Sequence, residues 1–176
     1  MRPVPTSIAL VFGLLLVQVS CAMIAQAVAQ PVIELEDGDS VPIATARRIH
    51  SAALGEERIL LVTLPDDYES ARLAYPVLYV LYGGQVRGYL AETVHVVDRL
   101  SEAGVIPRLI VVGIANVERY RDLSPVGRRG RPSGIGKFIE FIQNEMLPFI
   151  ESEYRTKRYR ILIGPQAGAE FGMHVL

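Results

Sequence analysis

Few side chains in this 176-residue sequence have the chemistry for catalysis. Its histidines are His50, His95 and His174, spread over the length of the chain. Cys21 is the one cysteine. It lies in a segment read below as removed, which leaves the mature chain with neither a thiol nucleophile nor a disulfide. Arg119, Arg121, Arg128, Arg129 and Arg131 crowd one stretch. A planar guanidinium fork suits a carboxylate or phosphate, so these are candidates for binding an anionic substrate, Arg119 and Arg121 foremost. A solvated loop is the plainer reading, and Arg121 with Asp122 is alternatively an internal pair that anchors the loop. Two glycine clusters, Gly83-Gly84 and Gly164-Pro165-Gln166-Ala167-Gly168, each follow an apolar run. Glycine permits close backbone approach to a ligand oxygen, although a Gly-x-x-x-Gly loop after a strand also describes an ordinary βα turn. There is no metal-ligand cluster, no phosphate-binding glycine motif and no interleaving of aromatic and basic residues. No cofactor, metal or nucleic-acid partner is therefore expected, and a net charge of -1 gives no general attraction to polyanions.

The elements that must position these residues alternate between strand and helix. Arg47–Leu54 and Arg58–Leu64 read as an antiparallel hairpin at a sheet edge, broken at Gly55-Glu56-Glu57 and closed by Pro65-Asp66-Asp67. Pro76–Tyr82 and Leu109–Ile114 are almost unbroken apolar runs, the mark of central strands covered on both faces. Between them Glu92–Ala103 has helical spacing, with Val96, Val97 and Leu100 on one side, so a parallel crossover is expected. Residues 116–134 form a long irregular stretch. A helix follows over Gly134–Ser152, with Ser133 as its N-cap and Ile135, Phe138, Ile139, Ile142, Met146, Phe149 and Ile150 on one face. Pro148 should kink or tighten its last turn. Arg160–Ile163 reads as a third buried strand, and Ala169–Leu176 as the opening of another helix.

Three sets of residues, in this order, resemble the putative-esterase family of α/β-hydrolases, the group of enterochelin-esterase-like and esterase-D-like enzymes. The first runs from Ser51-Ala52-Ala53-Leu54-Gly55-Glu56-Glu57-Arg58 through Leu64-Pro65 and Tyr68 to Tyr75-Pro76-Val77-Leu78-Tyr79-Val80-Leu81. The second is Val112-Gly113-Ile114-Ala115-Asn116 with Arg121-Asp122-Leu123-Ser124-Pro125. The third joins Phe138-Ile139, Leu147-Pro148-Phe149-Ile150 and Tyr154-Arg155 to Arg160-Ile161-Leu162-Ile163-Gly164. The resemblance spans residues 47–176. It implies an α/β fold: the N-terminal hairpin and parallel strands of an α/β-hydrolase sheet, with crossover helices, cut off after the nucleophile elbow.

The resemblance also implies ester hydrolysis through a serine acyl-enzyme, with the serine at the centre of an elbow Gly-x-Ser-x-Gly. Here the elbow glycines are Gly164 and Gly168, and Gln166 stands where the serine would be. Gly83, Gly84 and Ala167 fall where the family places oxyanion-hole amides. Tyr82-Gly83 departs from the Asp-Gly more usual there. The triad acid and histidine are expected well downstream, whereas the sequence closes ten residues after Gln166. None of the three histidines has the expected position, and each reads as a surface or packing residue. The expectation is therefore an esterase scaffold that is catalytically inactive, or the truncated remnant of an active serine esterase. A non-catalytic module is the alternative, holding an ester or acyl ligand in the cleft. Strand Arg160–Gly164 would otherwise be an exposed apolar edge, open to self-association or to a partner chain.

The N-terminus reads as a signal peptide over residues 1–29: Arg2, an apolar run Ile8–Ala25, and the small residues of Ala27-Val28-Ala29. Cleavage there makes the protein secreted or periplasmic, with no stable membrane span. An uncleaved membrane anchor and a lipoprotein site at Cys21 are the alternatives. Residues 30–46, acidic and polar with Gly38 and Pro42, form a lead-in to the partial hydrolase domain of residues 47–176.

Overall fold

The computed structural model of the chain describes residues 43–82, 88–115, 117–126 and 132–175. Residues 1–29, where a signal peptide is expected, and most of the expected lead-in of residues 30–46 lie outside them. The described residues form one five-stranded mixed sheet in the order β1-β2-β4-β3-β5. The strands are β1 (Thr45–Ser51), β2 (Glu56–Thr63), β3 (Tyr75–Leu81), β4 (Ile110–Ile114) and β5 (Thr156–Ile163). The hairpin β1-β2 is antiparallel, as expected, and β2 pairs antiparallel with β4. Strands β3 and β4, and β3 and β5, are parallel. The helices are α1 (Tyr68–Ala71), α2 (Tyr89–Glu102), α3 (Arg119–Asp122), α4 (Ile135–Phe141), α5 (Leu147–Glu153) and α6 (Ala167–Val175), with a π-helical turn Ile142–Met146 joining α4 to α5. None of these helices is long and apolar enough to cross a membrane.

The continuous apolar runs are central strands. Every residue of β3 and β4 is buried. Alternate side chains go to opposite faces of the sheet, and two separate clusters result. Val77, Tyr79 and Leu81 meet Ile135, Phe138, Phe141, Ile150 and Phe171 on one face, and Leu78 and Val80 meet Leu90, Val94 and Val97 of α2 on the other. The face of α2 differs from the expected one. Leu90, Val94 and Val97 are buried, whereas Val96 is 53% and Leu100 37% exposed. Leu90, Val94 and Val97 repeat at i, i+4 and i+7, which keeps them on one side, and Val96 is rotated away from them.

The helix expected over Gly134–Ser152 is divided by the π-turn. Phe141 and Met146 are both buried although five residues apart, which suits the wider turn. The π-turn falls directly before Pro148, which has no N–H to donate and whose ring crowds a regular α-turn. The N-cap is Gly134, not the expected Ser133: the Gly134 carbonyl accepts the Phe138 N–H at 3.0 Å, while the Ser133 Oγ, one residue earlier, accepts the Ile135 N–H at 3.2 Å and donates to the Ser124 carbonyl at 2.6 Å.

Strand β5 begins four residues earlier than its apolar core suggested, and it is an edge strand of the described sheet. It is therefore not fully buried. Residues 157–160 are exposed, Tyr159 by 67%. Their polarity hid them from a reading based on apolar runs.

Candidate functional site

Strands β3, β4 and β5 run parallel, so the segments that leave their carboxyl ends gather at one rim of the sheet, where open α/β sheets bind ligands. Tyr82 follows β3, Arg119 and Arg121 follow β4, and Gln166 and Ala167 follow β5. Sequence positions far apart are thereby brought to one rim. Gly83, Gly84, Arg128, Arg129 and Arg131 lie outside the described residues.

The turn from β5 into α6 has the geometry of an elbow. Gln166 has φ +49°, one of three non-glycine residues in the described chain with positive φ. Such a conformation costs an L-residue about 1–2 kcal/mol. The turn closes through Gly168 N–H to the Pro165 carbonyl at 2.9 Å, and the Gln166 carbonyl accepts from Ala169 at 2.9 Å and Glu170 at 3.2 Å. Gly164 is required by space, and Gly168 fits closely. A Cβ on Gly164 would lie 2.9 Å from Leu81 Cβ and 3.0 Å from Gly168 Cα, and one on Gly168 would lie 3.3 Å from Leu81 Cδ1. The end of β3 thus holds the turn against the sheet. Gln166 is exposed at the apex, and Ala167 is buried behind it. Among the described residues nothing accepts the Ala167 N–H, which begins α6.

Tyr82 packs against this turn. Its Cε2 is 3.8 Å from where a Gly168 Cβ would be. It too has positive φ, +66°, and its buried hydroxyl has no hydrogen-bond partner among the described residues. Burial pushes the Tyr82 phenol pKa up, with the nearby Arg119 charge acting the other way. Arg119 is exposed, its guanidinium 5.5 Å from the centre of the Tyr120 ring.

Arg121 is held inward by acids. Its Nη1 and Nη2 donate to Glu56 at 3.0 and 2.7 Å, and its Nε donates to Asp122 Oδ1 at 2.7 Å. The hydrogen bond to Glu56 raises the Arg121 pKa further, and the same bond holds the Glu56 carboxyl below its usual range. This is the internal pair with Asp122 that the sequence allowed, extended to β2.

The residue that sequence reasoning missed is Arg58. It is fully buried, and its Nη2 lies 2.7 Å from both Asp122 Oδ2 and Glu56 Oε1. Asp122 is fully buried as well, and its Oδ2 also accepts the Glu118 N–H at 2.8 Å. Two arginines and two carboxylates thus form a neutral knot that ties the start of β2 to α3. The only hint in the sequence was a cation at an inward-facing place, since Arg58, Leu60 and Val62 are the buried alternates of β2. The histidines stay apart from the rim residues: His50 pairs across the hairpin with Glu57 at 3.0 Å, and His95 and His174 are exposed on α2 and α6.

Comparison with known proteins agrees with this architecture. Residues 51–175 match the family described as putative esterase. Ferri-bacillibactin esterase BesA of Bacillus subtilis (strain 168) is 32% identical over an alignment covering 58% of this chain and 42% of BesA. Protein YjcH of the same organism is 30% identical, with 70% of this chain and 51% of YjcH aligned. Among solved structures, an IroE-like serine hydrolase from Shewanella oneidensis superposes with a TM-score of 0.67 at 33% identity, covering 76% of this chain and 46% of that one. The chain spans about half the length, or less, of these relatives. With the match over most of the sequence and the sheet order, hairpin and elbow all in place, the chain belongs to the putative-esterase family and carries part of its α/β-hydrolase fold.

Proposed function

We propose that this chain is an exported esterase-family scaffold that does not hydrolyse esters. Gln166 at the apex of the strained turn carries the proposal. The apex is where the family's nucleophile attacks. A carboxamide has no proton that leaves near neutral pH, and it forms no acyl-enzyme. This holds whichever acid or histidine stands beside it. Export rests on the N-terminal pattern of residues 1–29. Purified protein is expected to release 4-nitrophenol from 4-nitrophenyl acetate no faster than buffer, as is Gln166→Ala. Turnover abolished by Gln166→Ala would make Gln166 a participant, turnover that survives it would reveal another nucleophile, and either result refutes the proposal.

Retention of the turn favours binding without cleavage. Strain at a site persists only where its surroundings enforce it, and here Leu81 and the two glycines still do so. The relatives are named esterases and serine hydrolases, so an ester or acyl compound is the ligand class for the cleft. The β5 edge is a second interaction surface, since exposed strands template pairing. A discrete oligomer is expected by size exclusion with light scattering, and a strict monomer at every concentration would exclude self-association.

A further inference from the structure

Tyr82 combines three features that packing alone does not reward. It is only 7% exposed, its hydroxyl is unpartnered among the described residues, and its backbone lies in a region that bulky residues avoid. Phenylalanine would fill the same space without leaving a polar atom unpaired. The ring rests on the first turn of α6, the helix whose opening amide, Ala167 N–H, is also unpaired among the described residues. The charges that act on the phenol are Arg119, Glu118 and Asp122. Asp122 is neutralised by Arg58 and Arg121, and the Glu118 carboxylate caps α3 by accepting the Arg121 N–H at 2.9 Å. Glu118 keeps its charge, but Arg119 acts on the phenol more strongly than Glu118 does, and it stands with the positive end of α6 beside Tyr82. A phenol O–H, a backbone N–H and a guanidinium are all donors. Such a set favours an oxygen that carries negative charge.

We propose that Tyr82 is a specificity-determining residue of this site: its hydroxyl, with the Ala167 amide and the Arg119 guanidinium, selects a carboxylate over the corresponding neutral ester. The inference rests on the binding reading above and narrows it. The ligand is the acid that ester hydrolysis yields, not the ester. The phenol stays protonated because it is buried, so it remains a donor. A turn of the side chain toward the rim gives its hydroxyl the partner it lacks.

Butyrate and methyl butyrate, matched but for charge, serve as probes of the full chain. Binding is followed by the 1H–15N shift of the Ala167 amide and by thermal melting. Wild type is expected to bind butyrate at least tenfold more tightly than methyl butyrate. Tyr82→Phe should lose roughly tenfold or more in butyrate affinity, the scale of one hydrogen bond to a charged group, while its melting temperature without ligand stays equal or rises. Arg119→Gln, at an exposed position, should erase the preference for acid over ester. Unchanged butyrate affinity in Tyr82→Phe overturns the role of the hydroxyl while the binding reading stands. Preferential binding of methyl butyrate overturns carboxylate selection alone. Failure of both probes to bind wild type overturns the inference and the binding reading together.

Discussion

Asp122→Ala is expected to destabilise the protein by about 3–5 kcal/mol, the scale for stripping one partner from a buried ion pair. Asp122 and Arg58 are both fully buried, so Arg58 cannot turn to water when its carboxylate is removed. Asp122 Oδ1 also accepts from Arg121 Nε, and Oδ2 accepts the Glu118 N–H. The substitution therefore frees α3 as well as leaving Arg58 with a buried, undercompensated charge. Arg58→Met combined with Asp122→Leu should recover much of the loss, because replacing a whole buried pair with apolar groups of similar volume is often close to neutral. Urea denaturation followed by circular dichroism measures both variants. A loss below about 1 kcal/mol for Asp122→Ala would show that the knot is dispensable.

Phe138→Ala comes next, with an expected loss of about 3–5 kcal/mol. Phe138 is fully buried, and its ring stands between two parts of the site's support. On one side the Arg58 guanidinium is 5.5 Å from its centroid. On the other the Phe171 ring of α6 meets it edge-on at 5.5 Å. Truncation opens a cavity under the elbow helix and removes the aromatic face that offsets the desolvation of Arg58. Phe138→Leu should cost clearly less, because it refills part of that volume. Denaturation midpoints of the two variants give the comparison, and equal midpoints would mean that the site collapses freely around the lost ring.

The parts of the fold legible in the sequence were those fixed by local pattern. Pro76–Tyr82 and Leu109–Ile114 could only be covered strands, and both are. The elbow at Gly164 and Gly168 was legible only through the family resemblance, since a Gly-x-x-x-Gly spacing after a strand suits an ordinary βα turn as well. What escaped notice depended on pairing between distant segments. Arg58 and Asp122 are 64 residues apart, and nothing near either one shows that they share a buried site. The polar start of β5 escaped for a related reason: an edge strand is held by backbone pairing to β3, which any side chain permits. On α2 the helical period is legible but the buried stripe is only partly so: Val97 is buried as expected, whereas Val96 and Leu100, as apolar as the buried residues, are exposed.

The turn at Gln166 separates form from reagent. Its shape is enforced from outside by Leu81 and by two residues that lack side chains, so nothing in that enforcement consults the group at the apex. The apex is a socket. The side chain plugged into it can change without rebuilding the wall, so loss of a nucleophile there leaves the turn standing. For the protein engineer, a new reactive group at position 166 would arrive already aimed.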